Sequence, residues 1–527
     1  MMRSMTQMVT VLVIVMMALP AQAQRKKADF QFAPETVEKS SPASKTMQKA
    51  LKLYESKDYY SASIELHKVI EGESGDAAAN KERATFWMGK TLYHLKFYSA
   101  ALSYFDRIVQ NSSHRYFPAT LKWLAALSRE LPESVGILKK IGKYDKSHLE
   151  QPALDPIRHE LLYLLGRYHY AEGHFKQAID LLGEVPSKSK FFARAKFVQG
   201  ITYVRLYQAK PAAKAFKYLL RVAIERPDAP EIRKFQSLAR LSLARVFYSV
   251  KQFNLAIKYY DQLEPSHPGW LQSLFEASWA HFQANHFGKS LGNIHTLNAP
   301  YFEDKYFPES HILKSVVYWK HCQWGRSKEA IAEFVNKYPQ LYKALKKIIT
   351  KYADPTEFYD YAEKIRAAKV LRSGAIGRMA RTVLSDKTLA KTFQYVEELA
   401  RELKQIQNAD PAWKATAIAG VILQDLTLQE SLAKREAGDL AQRRLKRLSK
   451  EMRDLHKQAL KVEYEIIRGQ KNELEVAVRK ELVLPAGSRG RDIQPDEEHL
   501  IWPFDGQYWR DELGYYRYKI ASRCSKK

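Results

Sequence analysis

The residues best suited to metal or nucleophilic chemistry are 15 His and 2 Cys in a chain of 527 residues. His169 and His174 lie five apart, as do His281 and His286. That is a poor spacing for two ligands on one face of a helix, and three of the four sit at or beside positions read below as packing sites. Asp511 and Glu512 are neighbours, so their side chains point in different directions and do not form an acid/base pair. The sequence holds no G-x-x-x-x-G-K-[ST] phosphate loop, no H-E-x-x-H zinc site and no G-x-S-x-G nucleophile elbow. Glu309-Ser310 and Glu430-Ser431 place a carboxylate beside a hydroxyl, but both pairs fall in helical stretches without a glycine-rich sequel. The expectation is a chain with no catalytic residue, no cofactor and no bound metal.

Two cysteines in so long a chain cannot make a disulfide framework. One bridge between Cys322 and Cys524 stays open, with two isolated thiols the plainer expectation. The N-terminus bears on this. Arg3, an apolar run from Val9 to Leu19, Pro20 and the triplet Ala21-Gln22-Ala23 have the layout of a secretory signal cleaved after Ala23. The run is shorter than the roughly 20 apolar residues of a membrane span, and no Cys follows the cleavage site to take a lipid. A periplasmic protein is expected, without stable membrane insertion and with outer-membrane association left open. The net charge of +27 favours anionic partners: acidic proteins, peptidoglycan or phospholipid head groups. Nucleic acid fits the charge but not the compartment. A solvated helical surface would account for the same charge.

The elements that must carry any site are paired helical stretches of about a dozen residues, beginning near Met47. Two antiparallel helices pack closely where small side chains sit at the crossing, so the spacing of small and aromatic residues tests for repetition. Gly89, Leu92, Tyr98, Ala101, Phe105 and Ile108 set a frame that recurs from Ala50, Gly166, Gly200, Ala244, Ser278 and Ser315. The copy from Ser315 runs through Tyr318, Trp324, Ser327, Ile331 and Phe334 and is expected to close at Pro339. The long step between Gly89 and Gly166 leaves room for a degenerate unit around Trp123 to Ile141.

This frame resembles the tetratricopeptide repeat family over roughly residues 47 to 340. The resemblance implies an all-α solenoid, a superhelix of antiparallel helix pairs with a long concave groove. In that family the second, fifth, ninth, twelfth and thirteenth positions of each unit tend to face the groove. Carried over, they give Arg83, Lys90 and Tyr93, then Arg167 and Tyr170, then Arg194 and Arg205. Further along they give Arg245 and Tyr248, Trp279, and Trp319 with Lys320. Such a lining could pair with carboxylates through Arg forks and stack peptide segments on aromatic rings. The plainer alternative is that these are ordinary helix-surface residues.

The domain reading is a signal at 1–23, a leader at 24–45, the repeat array at 46–340, further helical hairpins at 341–428, a long basic helix at 429–480, and a linker and tail at 481–527. In the long helix, Ala441, Leu445, Leu448, Met452, Leu455, Ala459, Val462 and Ile466 step by alternating fours and threes, a coiled-coil seam. Its partner could be another copy, a different protein or a helix of the same chain. After a Gly, Pro and Arg-rich linker from Pro485 to Asp496 comes an aromatic tail with Trp502, Phe504, Tyr508, Trp509, Tyr515 and Tyr516. These rings either fold back as a cap or form a docking patch for a partner.

Signal, repeats, basic helix and tail together resemble exported tetratricopeptide proteins of predatory and gliding bacteria, including those associated with adventurous gliding motility. The resemblance implies a non-enzymatic periplasmic scaffold that binds other envelope proteins, with acidic segments favoured. Binding of peptidoglycan or another anionic polymer, and a part in outer-membrane assembly, are the rival readings.

Overall fold

A computed structural model describes residues 43–302, 305–367, 387–479 and 507–524. The expected signal, nearly all of the leader, the linker at 485–496, Trp502 and Phe504 lie outside the described residues. All regular structure among the described residues is helical, and the helices follow one another as tetratricopeptide-like antiparallel pairs.

The chain divides into two compact units. The first contains α1 (Lys45–Glu55), α2 (Tyr59–Glu71), α3 (Ala78–His94), α4 (Tyr98–Val109), α5 (Phe117–Glu130), α6 (Ile137–Ile141) and α7 (Arg158–Ala171). The second contains α8 (Phe175–Gly183), α9 (Phe192–Arg205), α10 (Ala209–Glu225), α11 (Pro230–Ser249), α12 (Phe253–Tyr260), α13 (Trp270–Gln283), α14 (Phe287–Leu297), α15 (Pro308–Lys320) and α16 (Trp324–Lys351). The chain then contributes α17 (Pro355–Ala367), α18 (Lys387–Gln407) and the short α19 (Pro411–Lys414) to the first unit. Last comes α20 (Ala417–Arg479), whose residues to Gln442 belong to the first unit and from Arg443 to the second.

Local chemistry sets the helix ends. Ser44 and Asp58 accept from the backbone N–H groups of Met47 and Ser61 and so cap α1 and α2. Proline opens α11, α15, α17 and α19, where its missing N–H costs nothing. The turn between the two helices of a repeat is the most regular feature. Lys57, Lys96, Gly173, Tyr207, Lys251, Asn285 and Cys322 all have positive φ. Each lies seven residues after a small residue of the sequence frame, at Ala50, Gly89, Gly166, Gly200, Ala244, Ser278 and Ser315. At Lys96 the closure is a Schellman motif: Phe97 N–H donates to the Leu92 carbonyl and Lys96 N–H to that of Tyr93. Six non-glycine residues accept the left-handed conformation for the sake of that closure, so all seven copies share one backbone turn.

Packing explains the small residues. A Cβ on Gly89 would stand 2.7 Å from the Phe105 ring, and one on Gly200 2.5 Å from that of Phe216. In two later copies serines replace glycine and alanine at the crossing. Ser290 donates to the Ser278 carbonyl at 2.8 Å, and Ser327 to that of Ser315 at 2.8 Å. The degenerate unit is α5 with the stunted α6, followed by two 3₁₀ turns at Lys146–Glu150 and Pro152–Ile157.

Three expectations change. Pro339 does not close the last repeat: α16 runs through it to Lys351, because Tyr338, Leu341 and Leu345 continue the buried face. The long helix begins at Ala417 instead of residue 429, and its seam is covered by this chain itself: Leu445, Leu448, Met452, Leu455, Ala459 and Ile466 are all buried. Cys322 and Cys524 are not isolated thiols but form a disulfide across 202 residues, because the tail returns to the turn between α15 and α16.

Candidate functional site

Three of the five arginines expected to offer forks to a partner, Arg167, Arg194 and Arg245, are engaged by carboxylates of this chain. In the first unit, Arg129 of α5 forks onto Glu160 of α7, with Nε at 2.9 Å from Oε1. Arg167 donates to Glu133 at 2.6 Å, and Lys391 of α18 reaches the same carboxylate. Burial alone would raise the Glu133 pKa, but Arg167 and then Lys391 outweigh it and hold the carboxyl down at about 2. In the second unit the pattern is a ladder. Arg194 of α9 makes two 3.0 Å bonds to Glu231 of α11. Arg245, further along α11, makes bonds of 2.8 and 2.7 Å to Glu276 of α13, which also accepts from Tyr260 and Gln272. Arg129–Glu160, Arg194–Glu231 and Arg245–Glu276 each join the first helix of one repeat to the first helix of the next, whereas Arg167 reaches the 3₁₀ turn at Glu133–Val135 that follows α5.

The other expected groove residues divide by burial. Lys90 is 8% exposed, with its ammonium 3.6 Å from the centre of the Trp87 ring and also facing Tyr54, Trp123 and Phe86. This is an internal cation–π cage. Tyr93 is half-buried, edge-on to Tyr98 and Trp123. Arg83, Tyr170, Tyr248 and Trp279 are half-buried, Tyr248 against Phe253 and Trp279 against Phe282. Trp319 donates to the Glu465 carbonyl of α20 at 3.4 Å, so the chain's own long helix lies over it. Trp324 fills the space left by Gly469, where a Cβ would stand 2.4 Å from the ring, and donates to Glu473. Arg205 and Lys320 remain exposed. Arg205 lies over Phe175, and Lys320 over Phe287 while it also contacts Asn285.

The tail packs on α14. Tyr508 stacks on His295 at 4.5 Å, Tyr516 meets that ring edge-on at 4.8 Å, and the Tyr518 hydroxyl contacts its Nδ1 at 3.1 Å. Gly514 N–H donates to the Thr296 hydroxyl, and Tyr518 N–H to the Gly288 carbonyl. Gly288 and Gly292 admit this backbone: a Cβ on Gly292 would stand 1.7 Å from the Tyr516 carbonyl oxygen. Trp509 and Tyr515 stay at least half exposed. Within the described part, the tail therefore covers α14 with some rings and presents others to solvent.

Sequence reasoning missed the glutamates. Glu160, Glu231 and Glu276 stand 31, 37 and 31 residues after their arginines, one repeat downstream, and that spacing was the available signal. It also missed Glu402 of α18. This residue is 4% exposed and accepts from the backbone N–H groups of Ser99 and Ala100 at 2.7 and 3.4 Å, capping α4, which has no cap of its own. Burial raises its pKa to about 7 against the pull of those hydrogen bonds. Glu309, at the start of α15, is likewise raised to about 7, by burial first and Glu451 second. The His281 ring is buried with no hydrogen-bond partner among the described residues, and its pKa is lowered to about 3, chiefly by burial, which is the behaviour of a packed ring. Among the described residues no group of three His, Cys, Asp or Glu could hold a metal ion. No helix there is long and apolar enough to cross a membrane.

The chain matches no protein-family profile and no curated protein. Among solved structures, a tetratricopeptide repeat protein from Parabacteroides merdae is similar at 12% identity, covering 55% of this chain and 91% of its own, with a TM-score of 0.25. A circular tandem repeat protein with a novel repeat topology is similar at 12% identity over 83% of this chain and 99% of its own, with a TM-score of 0.12. The tetratricopeptide-like assignment rests on the shared turn and the crossing contacts described above.

Proposed function

We propose that this chain is a non-enzymatic scaffold that binds other proteins of a bacterial cell envelope, in an assembly such as a gliding machine. The observation that carries the reading is the repeat array with its internal struts. An array whose neighbouring first helices are tied by Arg–Glu forks holds its surfaces at fixed spacing, which suits assembly more than chemistry. The net charge of +27 supports anionic or acidic partners. Export is supported by the signal-like N-terminus and by the Cys322–Cys524 disulfide, since such bonds persist in oxidising compartments.

Proximity labelling from the native chain, compared with an unrelated exported control, tests this reading. Envelope proteins should be enriched, and the enrichment should fall when the exposed Arg205 and Lys320 are changed to Glu. Arg167, Arg194 and Arg245 are unsuitable for that reversal because it would break struts. N-terminal sequencing of the mature chain should start at Gln24. Labelling of cytoplasmic proteins alone would overturn the reading. Co-sedimentation with purified sacculi in the absence of any labelled protein would favour the polymer-binding alternative.

A further inference from the structure

The long helix α20 carries a second seam. Each member of its buried seam is followed five residues later by an exposed one: Leu445 by Lys450, Leu448 by Arg453, Met452 by Lys457, Leu455 by Leu460 and Ala459 by Tyr464. Five residues turn an α-helix by about 140° from its starting direction, so this row lies on the far side from the array. It continues through Ile467, Lys471, Leu474 and Val478, keeping the alternation of threes and fours throughout. Leu460 is 49% exposed, Tyr464 63%, Ile467 56%, Leu474 56% and Val478 78%. The row spans about 42 Å at 1.5 Å per residue. Its first part is wholly cationic, and its later part is apolar apart from Lys471, which is paired with Glu475 at 3.7 Å.

We propose that this row is the docking seam for an acidic amphipathic α-helix of another protein, one that sets carboxylates against Lys450, Arg453 and Lys457 and apolar side chains against Leu460 to Val478. This rests on the scaffold reading and names the chemistry of one partner. The width of the row argues for a helix. A seam of two apolar positions in seven is the narrow coiled-coil pattern, whereas a helix lying in a membrane needs a broad apolar face. Lys461 and Arg468 beside the apolar positions could snorkel to head groups, but Glu463 and Glu475 flank the same positions and would be carried against an anionic surface with them. Steps averaging 3.5 residues also wind about 20° per heptad around the helix, a path that a supercoiled partner follows and a flat surface does not. A second copy is excluded by charge. Parallel pairing would put Lys450, Arg453 and Lys457 against themselves, and antiparallel pairing about Tyr464 would put Lys450 against Val478 and Lys457 against Lys471. The flanking positions carry both signs, Lys461 and Arg468 beside Asp454, Glu463 and Glu475, so the preference for an acidic partner rests on Lys450, Arg453 and Lys457 in the seam itself.

The test uses the full chain and a fluorescent, lactam-stapled synthetic peptide of four heptads. The seam positions are Glu in two heptads and Leu in two, and both orders are made, with a Lys-for-Glu version as control. Fluorescence anisotropy should show one order of the acidic peptide binding and the Lys version failing. Ile467→Asp with Leu474→Asp should weaken binding on the order of tenfold or more, as a charge in a coiled-coil seam does. These side chains are solvent-exposed, so hydrogen exchange of the repeat helices should not change. Lys450→Glu with Lys457→Glu should reverse the preference between the two peptides. Equal binding of both peptides, or binding indifferent to the Asp substitutions, overturns the proposal. So does preferential binding to phosphatidylglycerol vesicles, or self-association in sedimentation velocity, that the Asp substitutions abolish. Peptide failure with envelope proteins still labelled removes this seam alone, whereas peptide binding without labelled proteins removes the scaffold reading and leaves the seam.

Discussion

Replacing Arg245 by Met should open the array locally between α11 and α13. The substitution keeps most of the aliphatic stem and removes two charge-assisted bonds of 2.8 and 2.7 Å. Glu276 would keep Tyr260 at 3.1 Å and Gln272 at 2.9 Å as donors, with its side chain only 10% exposed. Removing one partner of a buried ion pair costs about 3–5 kcal/mol. The two surviving donors, and an Arg245 side chain that is 28% exposed, place this case at the lower end, about 3 kcal/mol. Replacing both residues, as Arg245→Met with Glu276→Met, removes the stranded carboxylate and should recover all but about 1 kcal/mol. A chain of tandem repeats is not expected to unfold in one step, so the readout is native-state hydrogen exchange of the amides in α11 to α13. Their protection should fall roughly a hundredfold in the single variant, since 1.4 kcal/mol is tenfold, and return most of the way in the double. Lys320→Met, at an exposed cation, should change protection by less than about threefold. The reasoning fails if the Arg245 variant behaves like the Lys320 variant, or if the double variant loses as much as the two single losses combined.

Gly292→Ala adds a better helix former to α14, worth up to about 1 kcal/mol, yet its Cβ must displace the Tyr516 carbonyl. Limited proteolysis should therefore cut within 514–519 faster than in the parent chain while α14 itself stays protected, and an unchanged tail would contradict the close approach. Titration should find no free thiol before reduction and two after it, since the described cysteines are bridged. In Cys524→Ser, exchange at the tail amides should rise while the crossing of α15 and α16 keeps its protection. Glu402 has a folded pKa raised to about 7, above the unfolded value of about 4.3. The folded state then binds the extra proton, so this group's contribution is fully present below the unfolded value and is lost as pH rises to about 7. Glu402→Gln should flatten that part of the pH dependence of α4 exchange, and an unaltered slope would show that Glu402 does not carry it.

The repeat frame was legible because packing two helices at a crossing leaves few choices of side chain. Gly89 against Phe105 and Gly200 against Phe216 are contacts that only a missing Cβ permits, and a pattern of that kind survives in one sequence. The left-handed turn was hidden, since Lys57, Tyr207 and Asn285 carry no common chemistry and accept positive φ only because the Schellman closure requires it. Pro339 misled because it was read as the closing proline of the repeat frame, while the buried row Phe334, Tyr338, Leu341 and Leu345 carries α16 onward. The arginines illustrate a different limit. Position in the frame indicates which face a side chain is on, but whether its fork is open depends on a glutamate one repeat away. Gly288 and Gly292 matter because the tail backbone lies across them, a contact more than 220 residues away in sequence that no local pattern encodes.

The struts bear on where binding can occur. A carboxylate from another protein could open the Arg245 fork only by displacing Glu276, and the displaced Glu276 would then be a buried anion held by Tyr260 and Gln272 alone. Exchange of one carboxylate for another leaves the count of charge-assisted bonds unchanged and adds the cost of ordering the partner, so it offers no net drive. Cations with no carboxylate partner among the described residues work differently, because a partner carboxylate there is a new interaction. The exposed row of α20 concentrates such cations beside apolar side chains that water already hydrates unfavourably, so its burial gains on both counts. By this reasoning the arginine ladder fixes the spacing of the repeats, and the far face of α20 carries the affinity. Raising the ionic strength should accordingly weaken the acidic peptide's binding to α20 well before it loosens the α11 to α13 struts, because exposed charges are screened and buried forks are screened much less.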